Sequence, residues 1–244
     1  MWIFSFHDWF EQKNSQTVDF RRLISLLYIV EKYGRTRDER ATLHMVEAHC
    51  HMNRADNQLF EQCTDFELER LLNMACRKEN TELIETVSSG WAGMLMRCSN
   101  RPLKGVLSLA DRLGLLKFRG DVCYVAFVRI SKAMAAKPTL LQLPTIGLGA
   151  RQHAKLCVAT ALLWRYWGEI GAAPIRQELG PIHPKCASAW RAMWNPVCGR
   201  WIDPVESLGR FSTEGACKKE RCAYRSHAME MLKSLLDSIP NRFT

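Results

Sequence analysis

The sequence has no uninterrupted apolar run that is long enough to cross a membrane. A transmembrane helix needs about 18 or more consecutive apolar residues, and charged residues interrupt every apolar stretch here before that length. The apolar first segment, "MWIFSFHDWF", contains Asp8 and lacks the basic start and small-residue cleavage site of a secretion signal. The sequence therefore predicts an intracellular protein, in the cytoplasm or nucleus, that does not bind membranes.

The sequence also lacks the motifs of common catalytic sites. There is no G-x-S-x-G elbow, and no cysteine stands in a recognisable protease context. The glycine-bearing stretch "PTIGLGA", residues 144–150, has neither a preceding strand nor a lysine, so turn chemistry explains it better than phosphate binding. We expect no enzymatic activity, no catalytic residue and no bound cofactor.

Strand patterns are scarce, whereas helical spacing of apolar residues runs through the chain. The fold class that this predicts is mainly α, with stacked helical hairpins and little or no β-sheet. Three segments read alike, each leucine-rich and then charged, and a second helix follows each: "RRLISLLYIVEKYG", "FELERLLNMACRKE" and "RPLKGVLSLADRLG". Such hairpins bury their apolar faces only against neighbouring hairpins.

Helix ends are signalled by particular residues. Gly34 is suited to end the first helix, and Thr64 with Glu67 forms a capping box at the start of another. Pro102 is expected in the first turn of its helix, where a missing N–H costs nothing. The stretch "DPVE", residues 203–206, is a further helix start.

Composition indicates where the chain divides. Residues 136–150, "AKPTLLQLPTIGLGA", carry two prolines and two glycines with little charge, which predicts a linker or loop. This leaves a helical-hairpin region over residues 1–135 and a C-terminal helical region over residues 151–244.

The net charge of +9 and pI of about 9.2 raise the question of nucleic-acid binding. The basic residues are spread along the chain, mostly beside acidic ones, and no basic motif is interleaved with aromatics. Solvated helix faces explain them better, and nucleic acid is not the expected partner.

Ten cysteines are scattered through the chain, and most are expected to be reduced thiols. Five donors toward the C-terminal end are candidate zinc ligands: His183, Cys186, Cys198, Cys217 and Cys222. Cys217 and Cys222 are five residues apart and, if both lie on one helix, point about 140° apart. Incidental cysteines therefore stay the leading interpretation, and zinc is the alternative.

The stretch "HMVEAHCHM", residues 44–52, places His44 and His51 two helical turns apart with Glu47 between them. It lacks the His-Glu-x-x-His order of helical zinc sites and has no further ligand nearby. A partly exposed polar helix face is the better interpretation.

Four motifs occur together in a characteristic order: "LSLADRLGLLKFRGDVCYVAF", "LLWRYW", "HPKCASAWRAMW" and "DPVESLGRF". In this respect the chain, over roughly residues 20 to 235, resembles BTB/POZ-type proteins of mushroom-forming fungi. The region of likeness is similar to their helical, BACK-like part. The β-rich segment that opens a BTB domain is not found, so most of the N-terminal BTB fold is expected to be missing from this chain.

The resemblance implies a non-enzymatic protein–protein interaction module, an adaptor or regulator. Its expected partners are other proteins, such as a BTB partner or a ubiquitin-ligase component, although the missing BTB segment puts the usual dimer and cullin contacts in doubt. The resemblance carries over no catalytic residue. The alternative from another class is a zinc-stabilised or nucleic-acid-binding regulatory protein.

Overall fold

A computed structural model describes residues 19–52, 58–136, 148–172, 181, 183–193, 204–214 and 222–242. Over these residues the chain forms helices and no β-strand, which confirms the mainly α fold. In chain order the helices are α1 (Phe20–Lys32), α2 (Thr36–Met52), α3 (Gln58–Glu61), α4 (Asp65–Arg77), α5 (Thr81–Arg97), α6 (Lys104–Leu113), α7 (Leu116–Ala136), α8 (Ala150–Ala172), α9 (Pro184–Met193), α10 (Pro204–Glu214) and α11 (Ala223–Arg242).

The chain divides into two compact units, Met1–Cys98 and Ser99–Thr244. The predicted linker, residues 136–150, runs from the last residue of α7, Ala136, to the first residue of α8, Ala150, within the sequence range of the second unit. Of that segment, residues 137–147 lie outside the described residues, so its loop character stays a prediction.

The three similar sequence segments each begin a helical hairpin. Helix α1 packs on α2, α4 packs on α5, and α6 packs on α7. In the first unit α4 also packs on α1, so the two hairpins share a core of leucines and larger side chains, including Phe20, Leu23, Leu27, Leu68, Leu72 and Trp91. Burying each of these side chains stabilises the fold by roughly 1.5–3 kcal/mol.

Local side-chain caps start three helices of the first unit, α1, α4 and α5. The Asp19 carboxylate accepts from the amide of Arg21, and the Asn80 side chain accepts from the amide of Leu83. The predicted capping box is confirmed: Thr64 Oγ1 accepts from the Glu67 amide at 3.2 Å, and Glu67 Oε2 accepts from the Thr64 amide at 2.7 Å. Each cap contributes about 1 kcal/mol.

The end of α1 is also as predicted. Gly34 follows the last residues of the helix with a φ of +64°, a left-handed conformation that glycine adopts without steric cost. Its amide donates to the Glu31 carbonyl, and the Arg35 amide donates to the Val30 carbonyl. These bonds satisfy carbonyls that the helix leaves unpaired.

Ion pairs join different helices of the first unit: Arg21–Glu67, Arg77–Glu31, Lys78–Glu39 and Arg97–Glu61, with N–O distances from 2.5 to 3.1 Å. The more exposed of these pairs contribute up to about 1 kcal/mol each, whereas Glu39 of the Lys78 pair is buried. Because each pair joins two particular helices, such as α1 and α4, the pairs favour this arrangement of neighbouring helices.

The second unit is built around α7. The stretch "CYVAFV", although β-prone, lies inside this helix, as its helical spacing indicates. Side chains on nearly all sides of the helix are buried, among them Phe118, Val122, Tyr124, Val125 and Phe127. Helices α6, α8 and α11 pack around it, while α9 and α10 pack on α11.

The predicted position of Pro102 is wrong. Helix α6 begins at Lys104 with Leu103 as its N-cap residue, so Pro102 precedes the helix. Leu103 is fully buried, and packing of that side chain rather than the proline determines where the helix begins. The end of α6 at Gly114, with a φ of +68°, is of the same left-handed type as the end of α1. No helix in the described part of the chain is long and apolar enough to span a membrane.

Candidate functional site

Three of the five predicted zinc ligands converge in the second unit. One donor atom each from His183, Cys186 and Cys222 lies within 4.8 Å of the other two. Both cysteines are buried, and His183 is partly exposed. Among the described residues, these three side chains form the group of possible metal ligands that lies close enough together to hold one ion.

The starts of two helices hold these donors. His183 precedes α9, Cys186 lies in the first turn of α9, and Cys222 immediately precedes α11. A backbone hydrogen bond of 3.2 Å from the Ala223 amide to the Pro181 carbonyl joins the two segments. The donors therefore sit on helix ends that packing and hydrogen bonding already hold together.

Aromatic packing lies next to the donors. Trp190, one helical turn after Cys186, is buried against α10 and α11. Its ring centroid lies 5.3 Å from that of Phe211, 5.9 Å from that of Tyr224 and 5.5 Å from that of His227. This aromatic cluster fixes α9 on α11 and with it the distance between Cys186 and Cys222.

The other two predicted ligands, Cys198 and Cys217, lie outside the described residues. The helical-angle argument against a site containing Cys217 and Cys222 assumed that one helix carries both. Cys222 precedes the first residue of α11, so that angle does not apply.

The histidine-rich stretch of α2 lines a different cleft, of about 360 Å³, between α2 and α5 of the first unit. His51 pairs with Glu82 at 2.9 Å, and Glu47 accepts a hydrogen bond from Asn80. Burial raises the pKa of the neighbouring Cys50 thiol to about 12, and the nearby Cys63 and Glu47 add to this effect. The cleft thus holds a protonated thiol and paired acids rather than converging metal donors.

Sequence reasoning missed a surface cluster in the first unit, which we call the Arg70 stack: Tyr28 on α1 with Phe66 and Arg70 on α4. The Arg70 guanidinium carbon lies 3.7 Å from the centroid of the Tyr28 ring and 4.0 Å from that of Phe66. Both rings are exposed, Phe66 by 58%. The one sequence signal was Phe66, an aromatic residue outside the buried leucine stripe of its own helix.

The guanidinium of the Arg70 stack is held by rings rather than by acids. Among the residues that the structure describes, none pairs with Arg70 through a carboxylate. Stacking uses the faces of a guanidinium and leaves its in-plane N–H groups available to acceptors. Ile29 on α1 and Tyr33, which follows the last residue of α1, are also exposed and add apolar surface at this end of the helix.

A third feature is a cleft of about 290 Å³ between α6, α7 and α8. Arg119, Arg151 and Lys155 lie on it beside one acid, Asp111, which pairs with Arg119 at 3.1 Å. Burial raises the pKa of the Cys123 thiol in this cleft to about 11, so the thiol is protonated and unreactive at neutral pH.

Comparisons of the chain with protein-family models, with curated proteins and with solved structures give no match.

Proposed function

We propose that the chain is a non-enzymatic protein-binding module and that the Arg70 stack is its contact surface. The observation that carries the proposal is Arg70, a half-buried arginine whose guanidinium stacks on two exposed aromatic rings. Arginine and tyrosine are enriched among the residues that dominate binding energy in protein interfaces. An arginine already ordered by stacking loses little side-chain entropy when a partner binds.

The chemistry of the surface indicates what it binds. The in-plane N–H groups of Arg70 match a carboxylate, since a guanidinium and a carboxylate form paired charge-assisted hydrogen bonds. Tyr28 and Phe66 offer apolar contact on both sides of that charge. We therefore expect an acidic segment of another protein with apolar residues beside the acid.

The resemblance to BTB/POZ-type proteins favours the same class of function, that of an adaptor or regulator which joins proteins. The cellular setting that we propose is the cytoplasm or nucleus. Its support is that the eight described cysteines form no disulfide, which is the usual state in a reducing compartment.

The test compares partners captured by the unaltered chain and by Arg70→Ala, with quantitative mass spectrometry. Arg37→Ala is the matched control, because Arg37 is an exposed arginine of the first unit that contacts neither an aromatic ring nor an acid among the residues that the structure describes. A partner that engages the Arg70 stack is lost with Arg70→Ala and with Phe66→Ala and kept with Arg37→Ala.

The captured partner then supplies acidic segments for titration calorimetry. We expect Arg70→Ala to weaken binding of the matching segment by about 2 kcal/mol, roughly 30-fold, as for a central interface arginine. Equal affinity of Arg70→Ala and Arg37→Ala would contradict the proposal. Capture of single-stranded nucleic acid through the Arg70 stack, with steep salt dependence, would favour the nucleic-acid alternative instead.

A further inference from the structure

We infer that His183, Cys186 and Cys222 bind a zinc ion that joins the start of α9 to the start of α11. The inference is independent of the Arg70 stack, which lies on other residues. It is carried by the convergence of one imidazole and two thiols within 4.8 Å, from segments far apart in the sequence.

The distances suit zinc after small adjustments. In a tetrahedral site with Zn–S bonds of about 2.3 Å and Zn–N bonds of about 2.0 Å, neighbouring donor atoms lie about 3.5–3.8 Å apart. Donor atoms that are within 4.8 Å of one another need to approach by no more than about 1.3 Å to reach that spacing. The hydrogen bond from the Ala223 amide to the Pro181 carbonyl holds the two segments together while the donor atoms approach the ion.

The sulfur and nitrogen ligand atoms of this site indicate which metal it binds. Thiolate and imidazole together favour zinc over magnesium and calcium, which take oxygen ligands. His183 and Cys186 are three positions apart, a spacing that lets one short segment supply two ligands. Cys222 supplies a third from the segment before α11.

The charges balance at this buried position. Each thiol loses its proton to solvent on binding, and the two thiolates of Cys186 and Cys222 then neutralise the two positive charges of zinc. The neutral imidazole of His183 adds no charge. Both thiolates also lie at helix starts, where the helix dipole favours negative charge.

Three protein ligands fill three of the four ligand positions of a tetrahedral zinc ion and leave the fourth to another ligand. Water or a further side chain completes such a site. Cys198 and Cys217 remain the sequence candidates for that position, and the variants below distinguish them.

The experiment uses the full chain, purified under reducing conditions and without a metal-affinity step. Elemental analysis should give one zinc ion per chain, and loading the metal-free chain with cobalt(II) should give the thiolate-to-metal absorption of a tetrahedral site. Cys186→Ser and Cys222→Ser should each lose most of the zinc. Circular dichroism of each variant establishes whether its helices still form.

Cys157→Ser is the matched control. Cys157 lies in the same unit at 3.8 Å from its own histidine, His153, but is exposed and lacks a third donor. This variant should keep zinc and the cobalt spectrum. If Cys198→Ser or Cys217→Ser loses zinc as Cys186→Ser does, that cysteine is the fourth ligand. Zinc retained by both variants leaves the fourth position to water or to a side chain other than these two cysteines.

Thiol labelling tests the zinc site in the unaltered chain, so the result does not depend on whether the variants fold. In the unaltered chain, Cys186 and Cys222 should resist alkylation until a chelator is added, and the chelator should release zinc in proportion. Absence of zinc from the folded chain, even after incubation with added zinc, would overturn the inference. So would a Cys186–Cys222 disulfide in chain prepared under reducing conditions.

Discussion

The two compact units are stabilised in different ways. In the first unit, caps at Asp19, Thr64 and Asn80 start three of the helices, and ion pairs such as Arg21–Glu67 join helices over a leucine core. In the second unit, α7 is buried on nearly all sides, and α9 is held by aromatic packing at Trp190.

The two units differ in how far apart in the sequence the residues of their stabilising contacts lie. The capping signals of the first unit lie within three residues of the helix they start, so they act even on a short segment. The contacts of Trp190 and the convergence of Cys186 with Cys222 join residues that meet only after the second unit has folded. We therefore expect the second unit to be the more sensitive to single changes and to metal removal.

The largest expected effect is at Trp190. Trp190→Ala should destabilise the second unit by about 3–5 kcal/mol, because it leaves a cavity between α9, α10 and α11. Hydrogen exchange read by mass spectrometry should show faster exchange over residues 183–193 and 222–242, with residues 20–32 and 65–77 unchanged. Equal acceleration in both units would contradict the comparison, and Trp190→Phe, which fills part of the cavity, should have a smaller effect.

A pair of helix glycines gives opposite effects in the two units. A Cβ added at Gly90 of α5 meets the Phe60 ring, whose Cζ is 2.7 Å away, whereas one added at Gly209 of α10 meets nothing within 4 Å. Gly90→Ala should destabilise the first unit by about 1–3 kcal/mol through overpacking. Gly209→Ala should stabilise the second by about 0.5–1 kcal/mol, the helix preference for alanine.

Urea unfolding of the two glycine variants, followed separately for each unit by hydrogen exchange, measures both effects. If Gly90→Ala is as stable as Gly209→Ala, the Phe60 ring moves aside without cost. The close packing of α3 on α5 is then not a source of stability.

The last expected effects concern the dependence of folding stability on pH, and they have opposite signs. Burial favours the neutral form of Glu67, but hydrogen bonds from Thr64 and Arg21 outweigh it and lower the pKa of this carboxyl. Burial raises the pKa of Asp121, in α7, to about 6, against a smaller lowering by Lys117.

Glu67 therefore stabilises the first unit above its unfolded pKa of about 4.3, and this is lost as pH falls through the lower folded value. Folded Asp121 holds its proton more tightly than the unfolded chain does. Stability from Asp121 is therefore greatest below about pH 3.9 and falls as pH rises toward 6.

At pH 7.5, Glu67→Gln should lower stability and Asp121→Asn should raise it, and both differences should shrink at pH 3.5. Denaturant unfolding of the two variants and the unaltered chain at both pH values measures this. Shifts of the same sign in both variants would contradict the assigned pKa directions.

The sequence predicted best what is decided locally. Gly34 and the Thr64–Glu67 box were identified because their hydrogen bonds reach only three to five residues. Pro102 was placed wrongly because burial of Leu103, a tertiary contact, determines where α6 begins. The three hairpins followed from apolar spacing, which depends on burial but not on which helix is the neighbour.

The sites were predicted less completely, for the same reason. His183 and Cys186 lie in one short segment, so their pairing was visible, whereas the position of Cys222 beside them depends on how α11 packs. The Arg70 stack joins Tyr28 to residues of another hairpin, and no periodic pattern marks such a contact.

The meeting of the Cys186 and Cys222 sulfur atoms also has a consequence for the unfolded chain. A metal that bridges them closes a loop of roughly 36 residues, and by analogy with a disulfide this closure removes about 4 kcal/mol of chain entropy from the unfolded ensemble. Loss of the metal would then lower the stability of the second unit and open it more often to proteolysis.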